Sequence, residues 1–298
     1  MLKRQKSVLY MLERAGRPVS HLELVKWVFL LAGETPSRGG DSFYDFVPYQ
    51  YGPFSFTLFH EMQNLARDRY VAPVELDGHE AWERIHEVIP PSGILSQEVC
   101  LDVARVVSRF QASSSKDLID YVYKRYPWFT VNSRIKKLDS RPKAPLAVHT
   151  IGYEGLSIDC LLNTLMREGI QCLVDVRRNP VARRYGFHRS TLSRLCTKVN
   201  IEYIHVPEVG IPSELRQNLS DQEAYDRLFA RYESELLPAA QPAVQQIAKT
   251  VAEKPSALMC MEADPATCHR TRLGQRIAEI TALPLNHIQE RKCETAMN

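Results

Sequence analysis

The sequence predicts an α/β protein in which a mainly helical, winged-helix-like domain precedes a Rossmann-like domain built on a five-stranded parallel sheet. The chain has 298 residues, about twice the length of a common single domain. Its apolar fraction of 44% and its charged fraction of 24% are typical of globular proteins. Helical periodicity changes to alternating strands and helices across the proline-bearing residues 140–145. The predicted domains are therefore residues 1–140 and 146–298.

The first domain combines amphipathic helices with one hairpin signal. The predicted helices span residues 3–15, 21–31, 54–69, 96–110 and 115–126. Ser20 is a favourable N-cap for the second of these helices, and Glu23 stands at its capping-box position. An Asp-Gly pair at 77–78 predicts a turn between strands at 70–76 and 81–89. Helices followed by a small hairpin form the outline of a winged helix.

The second domain alternates apolar strands with helices. The strands are predicted at residues 146–152, 171–176, 202–206, 256–261 and 284–288. The helices are predicted at residues 158–168, 190–199, 222–236, 242–252 and 265–280. Strands that are separated by helices favour a parallel sheet with right-handed crossovers. Residues 152–155 read Gly-Tyr-Glu-Gly instead of G-x-G-x-x-G, and no Walker A motif is present, so no nucleotide cofactor is predicted.

Composition and cysteine spacing argue against membrane, secreted, disulfide-rich and zinc-ribbon proteins. No apolar run approaches the roughly 20 residues of a membrane helix, and the basic first residues have no signal-peptide core behind them. We therefore expect a cytoplasmic protein with no membrane contact. The seven cysteines are odd in number and never form a C-x-x-C pair, which argues against a disulfide framework and a zinc ribbon. Because Cys260, Cys268 and His269 also lack the usual ligand spacing, no metal site is predicted.

Polar residues follow the predicted strands, at the edge where open parallel sheets bind ligands. Those after the five strands, in chain order, are Tyr153, Glu154, Asp175, Arg177, Arg178, His205, Glu208, Glu262, Asp264 and His287. Loops always carry polar residues, so the alternative for any one of them is ordinary solvation. As a set, they predict a ligand site at this edge.

The segment after the fourth strand has features of an anion site. Asp264 is a favourable N-cap, so Cys268, His269 and Arg270 are expected in the first two turns of the next helix, where free N–H groups and the helix dipole favour an anion. Glu262, just before this helix, could then act as a general base. The alternative for Glu262 is an ion pair with Arg177 or Arg270 that merely ties two loops together.

The strongest compositional signal is a local excess of arginine. The net charge of the chain is only +3, yet residues 177–194 contain six arginines and no Asp or Glu. Arg183 and Arg184 stand next to Tyr185 and close to Phe187, and cations beside aromatic rings are typical of surfaces that bind single-stranded or extruded nucleotides. The alternative is a solvated, salt-bridged loop.

These motifs resemble a known family. Residues 149–288 are similar to the bacterial domain-of-unknown-function 488 family, on the motifs at residues 151–155, 175–180, 186–187, 203–210 and 262–270. Residues 46–56 look like an N-terminal extension found on part of that family and, more loosely, like the antitoxin-associated Panacea domain. There Tyr51-Gly52-Pro53 is expected to form a turn with Pro53 starting a helix at Phe54. Some members of this architecture carry a DNA repair label, so the resemblance implies a link to DNA repair or defence.

The leading functional hypothesis is a protein that acts on nucleic acid, with DNA favoured, and that binds a nucleotide or an extruded base. If it is an enzyme, we expect a hydrolase of glycosylase-like or nuclease-like type. The expected catalytic residues are Glu262, Asp175 and His269. The expected ligand- or phosphate-binding residues are Tyr153, Arg177, Arg178, Arg183, Arg184, Tyr185, Phe187, His205, Cys268 and Arg270. Two alternatives stay open: a non-catalytic, ligand-sensing DNA-binding regulator, and a toxin–antitoxin or defence interaction module.

Overall fold

The computed structural model describes residues 1–85, 95–216 and 222–289. By their contacts these residues form two compact units, Met1–Ser140 and a second unit that begins at Arg141. The division lies at the start of the proline-bearing segment. Arg141 is held in the second unit because its guanidinium group donates hydrogen bonds to the carbonyl groups of Ile170 and Val199. No helix in the described ranges is long and apolar enough to cross a membrane.

The N-terminal unit contains five α-helices, one 3-10 turn at Pro127–Thr130 and five short strands within the described residues. The helices are α1 Lys3–Ala15, α2 His21–Glu34, α3 Phe56–Arg67, α4 Gln97–Phe110 and α5 Ser115–Arg125. The strands are β1 Val19–Ser20, β2 Val47–Tyr49, β3 Gly52–Phe54, β4 Val71–Leu76 and β5 His79–Arg84. Serine hydroxyls at the N-caps of α2 to α5 accept hydrogen bonds from free backbone N–H groups, as at Ser20, whose Oγ lies 3.2 Å from the Glu23 nitrogen.

Strand pairing in this unit has the winged-helix arrangement. β4 and β5 form an antiparallel hairpin, and β1 pairs antiparallel with β5. Asp77 and Gly78 both have positive φ, 50° and 76°, which is the geometry of the two-residue turn that the Asp-Gly pair predicts. The buried face of α2, with Trp27 and Phe29 fully buried, lies at the centre of the core. The predicted strand 81–89 extends into residues 86–94, which lie outside the described residues.

The prediction that Pro53 starts a helix is wrong. Gly52, Pro53 and Phe54 form β3, which pairs antiparallel with β2, and α3 begins only at Phe56. Gly52 has a φ of 94°, a left-handed value that a non-glycine residue rarely adopts, so the chain turns there into a hairpin. Ser55 then provides the N-cap, since its hydroxyl accepts from the Leu58 N–H at 3.2 Å.

The second unit contains the predicted five-stranded parallel sheet, which confirms the fold class. Its strands are β6 Val148–Gly152, β7 Cys172–Asp175, β8 Glu202–His205, β9 Ser256–Cys260 and β10 Leu285–His287, in the order β10-β6-β9-β7-β8. The helices are α6 Ile158–Arg167, α7 Arg189–Lys198, α8 Gln222–Arg231, α9 Leu237–Ala239, α10 Gln241–Glu253 and α11 His269–Thr281. Every residue of β6, β7 and β9 is buried, as expected for strands that are covered by helices on both faces.

The helix predicted at residues 265–280 is divided in two. Asp264 caps a single 3-10 turn, Pro265–Thr267, by accepting the Ala266 N–H at 2.8 Å. Cys268 is extended, with φ −124° and ψ 135°, and α11 starts at His269. The expectation that Cys268 lies inside the helix is therefore wrong. The extended residue turns its side chain inward, where it meets the end of β9.

Candidate functional site

The candidate site lies at the carboxyl edge of the parallel sheet, where the ends of neighbouring strands meet. Tyr153 follows β6, Arg177 follows β7, and Glu262 follows β9, whereas Asp175 and His205 end β7 and β8. The register pairs Asp175 with His205 on one side and with Met259 of β9 on the other. The fold thus brings together residues that the sequence places far apart.

Four residues form a buried knot at this edge. Arg177 makes a bidentate ion pair with Asp175, with Nε 2.8 Å from Oδ1 and Nη2 2.6 Å from Oδ2. Arg177 also donates to the Tyr153 hydroxyl at 3.0 Å and to the Phe187 carbonyl at 3.0 Å. The rings of Tyr153 and Phe187 are stacked, with centroids 4.3 Å apart. We call Asp175, Arg177, Tyr153 and Phe187 the anchoring knot.

The polar groups of the anchoring knot form hydrogen bonds within the protein and are not left free for a ligand. Asp175 is fully buried and also accepts the Tyr203 hydroxyl at 2.6 Å, so it has no free face toward solvent. Burial, together with the neighbouring Asp175 carboxylate, raises the pKa of Tyr203, which keeps this phenol neutral and able to donate. Phe187 is fully buried as well and offers no exposed ring to a base. His205 supports the same loop by donating from Nε2 to the Arg177 carbonyl at 2.9 Å.

A second group of side chains surrounds Glu262. The thiols of Cys260 and Cys268 donate to the same carboxylate oxygen, Oε2, at 3.1 and 2.9 Å. His269 Nδ1 lies 3.7 Å from the Cys260 sulfur and 4.0 Å from the Cys268 sulfur. Both thiols and the imidazole are buried, while about 29% of the Glu262 side chain is exposed. We call Cys260, Glu262, Cys268 and His269 the thiol–carboxylate cluster.

Glu262 is the ionised member of this cluster. Burial would raise the pKa of its carboxyl group, but hydrogen bonds from Cys268 and Cys260 and the positive charge of Arg216 outweigh burial, and the pKa is lowered. The Arg216 guanidinium lies 3.7 Å from Glu262 Oε1. The expected alternative of an ion pair is thus present, but its partner is Arg216 and not Arg177 or Arg270.

Arg270 shapes the loop that carries Glu262. Although it was expected to bind phosphate, its side chain is buried and donates to the backbone carbonyls of Glu262 and of Ala263, the latter at 2.9 Å. Gly152 lets this loop approach β6, because a Cβ atom there would lie 1.9 Å from the Glu262 carbonyl oxygen. Arg270 and Gly152 therefore fix the position of the cluster.

The remaining arginines of residues 177–194 are on the surface. Those with exposed side chains are Arg178, Arg183, Arg184, Arg189 and Arg194. Within the described residues, none of the five forms an ion pair with a carboxylate. Two of them contact backbone oxygens, Arg178 that of Pro207 at 3.2 Å and Arg184 that of Gly155 at 3.3 Å. We call this surface, with the half-buried Tyr185, the arginine loop.

Three residues of the site were not singled out from the sequence. Cys260 reads as an ordinary buried strand thiol, and only its spacing from Glu262, with the adjacent Cys268-His269 pair further on, could have drawn attention to it. Tyr203 begins the motif at residues 203–210 but was not predicted as a site residue, and Arg216 lies in none of the motifs. Their roles depend on the partners that the sheet order gives them, Asp175 for Tyr203 and Glu262 for Arg216.

The N-terminal unit contains a cavity of about 900 Å³ that sequence reasoning did not anticipate. Arg17, His21, Lys26, Tyr49 and Tyr51 form part of its wall. Lys26 is buried, and its ammonium group donates to the Pro53 carbonyl at 3.1 Å. Burial lowers the pKa of Lys26 to about 7.

Comparison with known proteins found one similarity, which lies in the second unit. A search of curated proteins and a search of solved structures found no significant match to the chain. Residues 157–277 match a family model described as a domain of unknown function, DUF488. This span begins at the N-cap of α6 and reaches into α11. It includes the arginine loop, the whole thiol–carboxylate cluster and every residue of the anchoring knot except Tyr153. The C-terminal unit of this chain therefore contains a region, residues 157–277, that is similar to DUF488.

Proposed function

We propose that the C-terminal unit binds the phosphate groups of a nucleic acid, with DNA favoured, through the arginine loop. The observation that carries this proposal is that five exposed guanidinium groups lie within residues 178–194 with no carboxylate partner among the described residues. Such a group of like charges repels itself, and an anionic ligand relieves that repulsion. A guanidinium group also matches the bidentate geometry of a phosphate.

The structure favours contacts with the backbone of the nucleic acid over stacking of its bases. Phe187 is buried in the anchoring knot, so among residues 178–194 only the half-buried Tyr185 and the exposed His188 offer a ring to a base. Contacts with phosphate neutralise charge and release counterions, but they carry little sequence information. The proposed binding is therefore strongly dependent on salt and weakly dependent on base sequence.

Glu262 is the group best suited to hydrolytic chemistry. It is the one partly exposed member of the thiol–carboxylate cluster, its lowered pKa keeps it ionised near neutral pH, and it lies at the edge where parallel sheets bind ligands. An ionised carboxylate at such a position can accept a proton from an attacking water. We propose that Glu262 performs this role on a nucleotide or nucleic-acid substrate, while Asp175 and Arg177 hold the loop.

Replacing Arg183 and Arg184 by Ala should weaken binding of nucleic acid about equally for all sequences. Each lost phosphate contact reduces by about one the number of counterions that are released on binding. The slope of log affinity against log salt should therefore decrease in magnitude by about one to two. Fluorescence anisotropy with labelled DNA at several salt concentrations measures both quantities.

The matched control is Arg227→Ala with Arg231→Ala. It removes the same charge from α8, where each arginine already pairs with a glutamate. This control should keep most of the affinity and slope. If the arginine-loop double variant also keeps both, the loop is a solvated surface and the proposal fails.

Changing Glu262 to Gln should lower turnover by about two orders of magnitude and leave ligand affinity nearly unchanged, because the amide keeps the size of the side chain but cannot accept the proton. Turnover is measured on the nucleic acid that binds best in a screen of single- and double-stranded DNA and RNA, with and without modified bases. Glu279→Gln is the control, since Glu279 is an exposed acid of α11 outside the strand-end set. A folded Glu262→Gln protein with unchanged turnover would remove Glu262 from the mechanism.

The winged-helix arrangement of β1, β4 and β5 supports a second candidate, a DNA-binding regulator without catalysis. In that case the first unit contacts DNA and the second unit senses a ligand. The arginine-loop variant would then retain its affinity for DNA, and no nucleic acid would be turned over by the wild-type protein. These two results together distinguish the regulator from the hydrolase.

A further inference from the structure

We propose that Cys260, Cys268 and His269 form a binding site for a divalent metal ion of the zinc type, with Glu262 beside its open fourth position. This site does not depend on the arginine loop or on any activity toward nucleic acid. The spacing in the sequence does not suggest it. The fold assembles it from the end of β9 and the first residue of α11.

The distances fit a tetrahedral site. The two sulfur atoms and His269 Nδ1 all lie within 4.8 Å of one another, and the sulfur–nitrogen distances are 3.7 and 4.0 Å. With Zn–S near 2.3 Å and Zn–N near 2.0–2.1 Å, the corners of a tetrahedron are about 3.5–3.8 Å apart. The three ligand atoms therefore need only small shifts to hold a common ion.

The histidine is oriented as a metal ligand should be. Its Nε2 donates to the backbone carbonyl of Val176 at 3.2 Å, so Nδ1 carries the lone pair, and this atom faces the two sulfurs. A histidine that binds a metal almost always donates its other ring nitrogen in this way. The ring of Tyr232 packs edge-to-face on His269 with centroids 5.5 Å apart and further fixes the imidazole plane.

The charges of the cluster also suit a cation. Two thiols and one carboxylate meet here, and both thiols already point to Glu262 Oε2. Binding of Zn²⁺ replaces the two S–H bonds by two metal–sulfur bonds and releases two protons to solvent, so the ion and two thiolates together are neutral. That neutrality makes the ion compatible with burial beside Cys260 and Cys268.

Glu262 differs from the three ligands because it reaches solvent and faces Arg216 at 3.7 Å. Three protein ligands with a water in the fourth position are the pattern of a catalytic zinc site, whereas structural sites have four protein ligands. A carboxylate beside the fourth position can accept a proton from that water. We therefore assign Glu262 to the open side of the site and not to the ligand set.

The test uses the full-length protein, reduced, stripped of metal and then titrated with Zn²⁺ and, separately, with Co²⁺. We expect one equivalent of ion per chain, an increase in the melting temperature on addition of Zn²⁺, and thiolate-to-Co²⁺ charge-transfer absorption. Cys268→Ser and Cys260→Ser should each lose more than about 100-fold in affinity, a larger effect than is typical of residues outside the ligand set. Glu262→Gln should keep the one-to-one stoichiometry.

The matched control is Cys172→Ser, a buried thiol on the neighbouring strand β7. It should bind the ions as the wild type does. To separate loss of ligation from loss of fold, the melting temperature of each variant is measured without metal, and a cysteine variant that melts like the wild type but shows no zinc-dependent shift supports the assignment. Absence of stoichiometric binding to the wild type, or wild-type affinity in the folded Cys268→Ser protein, overturns it. Loss of stoichiometric binding in Glu262→Gln would instead overturn the three-ligand assignment.

Discussion

Asp175→Asn is expected to destabilise the second unit by about 3–5 kcal/mol, the usual result of removing one partner of a buried ion pair. Asp175 is fully buried and Arg177 is 6% exposed. In the variant the guanidinium group keeps its charge but loses the carboxylate that compensates for its missing hydration. The Tyr203 hydroxyl also loses a charged acceptor at 2.6 Å.

This loss is measured by chemical denaturation followed by circular dichroism or by amide hydrogen exchange. The three tryptophans, Trp27, Trp82 and Trp128, all belong to the N-terminal unit, so their fluorescence does not report on the second one. Glu279→Gln, which breaks an exposed pair with Arg276 at 2.9 Å, is the control and should cost less than about 1 kcal/mol. If Asp175→Asn costs as little as the control, the anchoring knot does not stabilise the unit.

A double variant tests whether the uncompensated charge of Arg177 causes the loss of stability. Asp175→Asn combined with Arg177→Met removes the buried, uncompensated charge of the guanidinium group. The double variant should recover part of the lost stability, because two neutral side chains avoid the cost of desolvating a charge. Failure of the second substitution to recover any stability would show that lost hydrogen bonds or packing, rather than an uncompensated charge, cause the destabilisation.

Lys26→Met should raise the stability of the N-terminal unit by about 1–4 kcal/mol near pH 7. Burial lowers the pKa of Lys26 from its ordinary 10.5 to about 7, so folding requires the amine to lose its proton or to keep a poorly hydrated charge. That cost is roughly 4–5 kcal/mol, since one pKa unit corresponds to about 1.4 kcal/mol. The Pro53 carbonyl loses its donor in the variant, which offsets about 1–3 kcal/mol of the gain.

The gain should depend on pH in a defined direction. Because the pKa of Lys26 is lower in the folded state, the unfolded chain holds one more proton between about pH 7 and 10.5, and the wild-type free energy of unfolding rises with pH across this window. The advantage of Lys26→Met is therefore greatest at and below about pH 7 and shrinks as the pH approaches 10.5.

Tryptophan fluorescence during guanidinium denaturation at about pH 6, 8 and 10 measures this trend, because every tryptophan lies in the unit that contains Lys26. Lys124→Met is the control. Lys124 is an exposed lysine of α5 whose replacement should change stability little at any pH. A difference between Lys26→Met and wild type that stays constant from pH 6 to 10 would contradict burial of an amine with a lowered pKa.

Local signals in the sequence predicted most of the fold. The apolar strands separated by helices gave the parallel sheet, and Ser20 and the Asp-Gly pair at 77–78 marked a helix start and a turn that the structure contains. The errors arose where two local rules compete. Pro53 favours the first turn of a helix, but the positive φ of Gly52 turns the chain into a hairpin first.

The site was harder to predict because its contacts join distant segments. The sequence identified Glu262, Arg177 and the arginine loop by residue type, but not that Arg177 turns inward to Asp175 while its five neighbours stay outside. Glu262, Cys268 and His269 were also predicted as site residues, but their contacts with one another and with Cys260 were not, for a related reason. Extended backbone at Cys268 brings its sulfur to the end of β9, and no spacing rule anticipates that contact.

The anchoring knot has a consequence for how this surface can evolve. The Arg177 side chain donates a hydrogen bond to the Phe187 carbonyl, and the N–H of Arg189 donates to the Pro180 carbonyl at 3.1 Å. Residues 178–186 therefore form a closed tether, a loop whose two ends are held together by hydrogen bonds. Exposed side chains along a closed tether can change without altering the path of the backbone, whereas Gly186 is fixed, because its φ is 94° and a Cβ atom there would lie 2.4 Å from Ile158. The charge of this surface can thus be changed by substituting the exposed arginines, while the sheet beneath them keeps its stability.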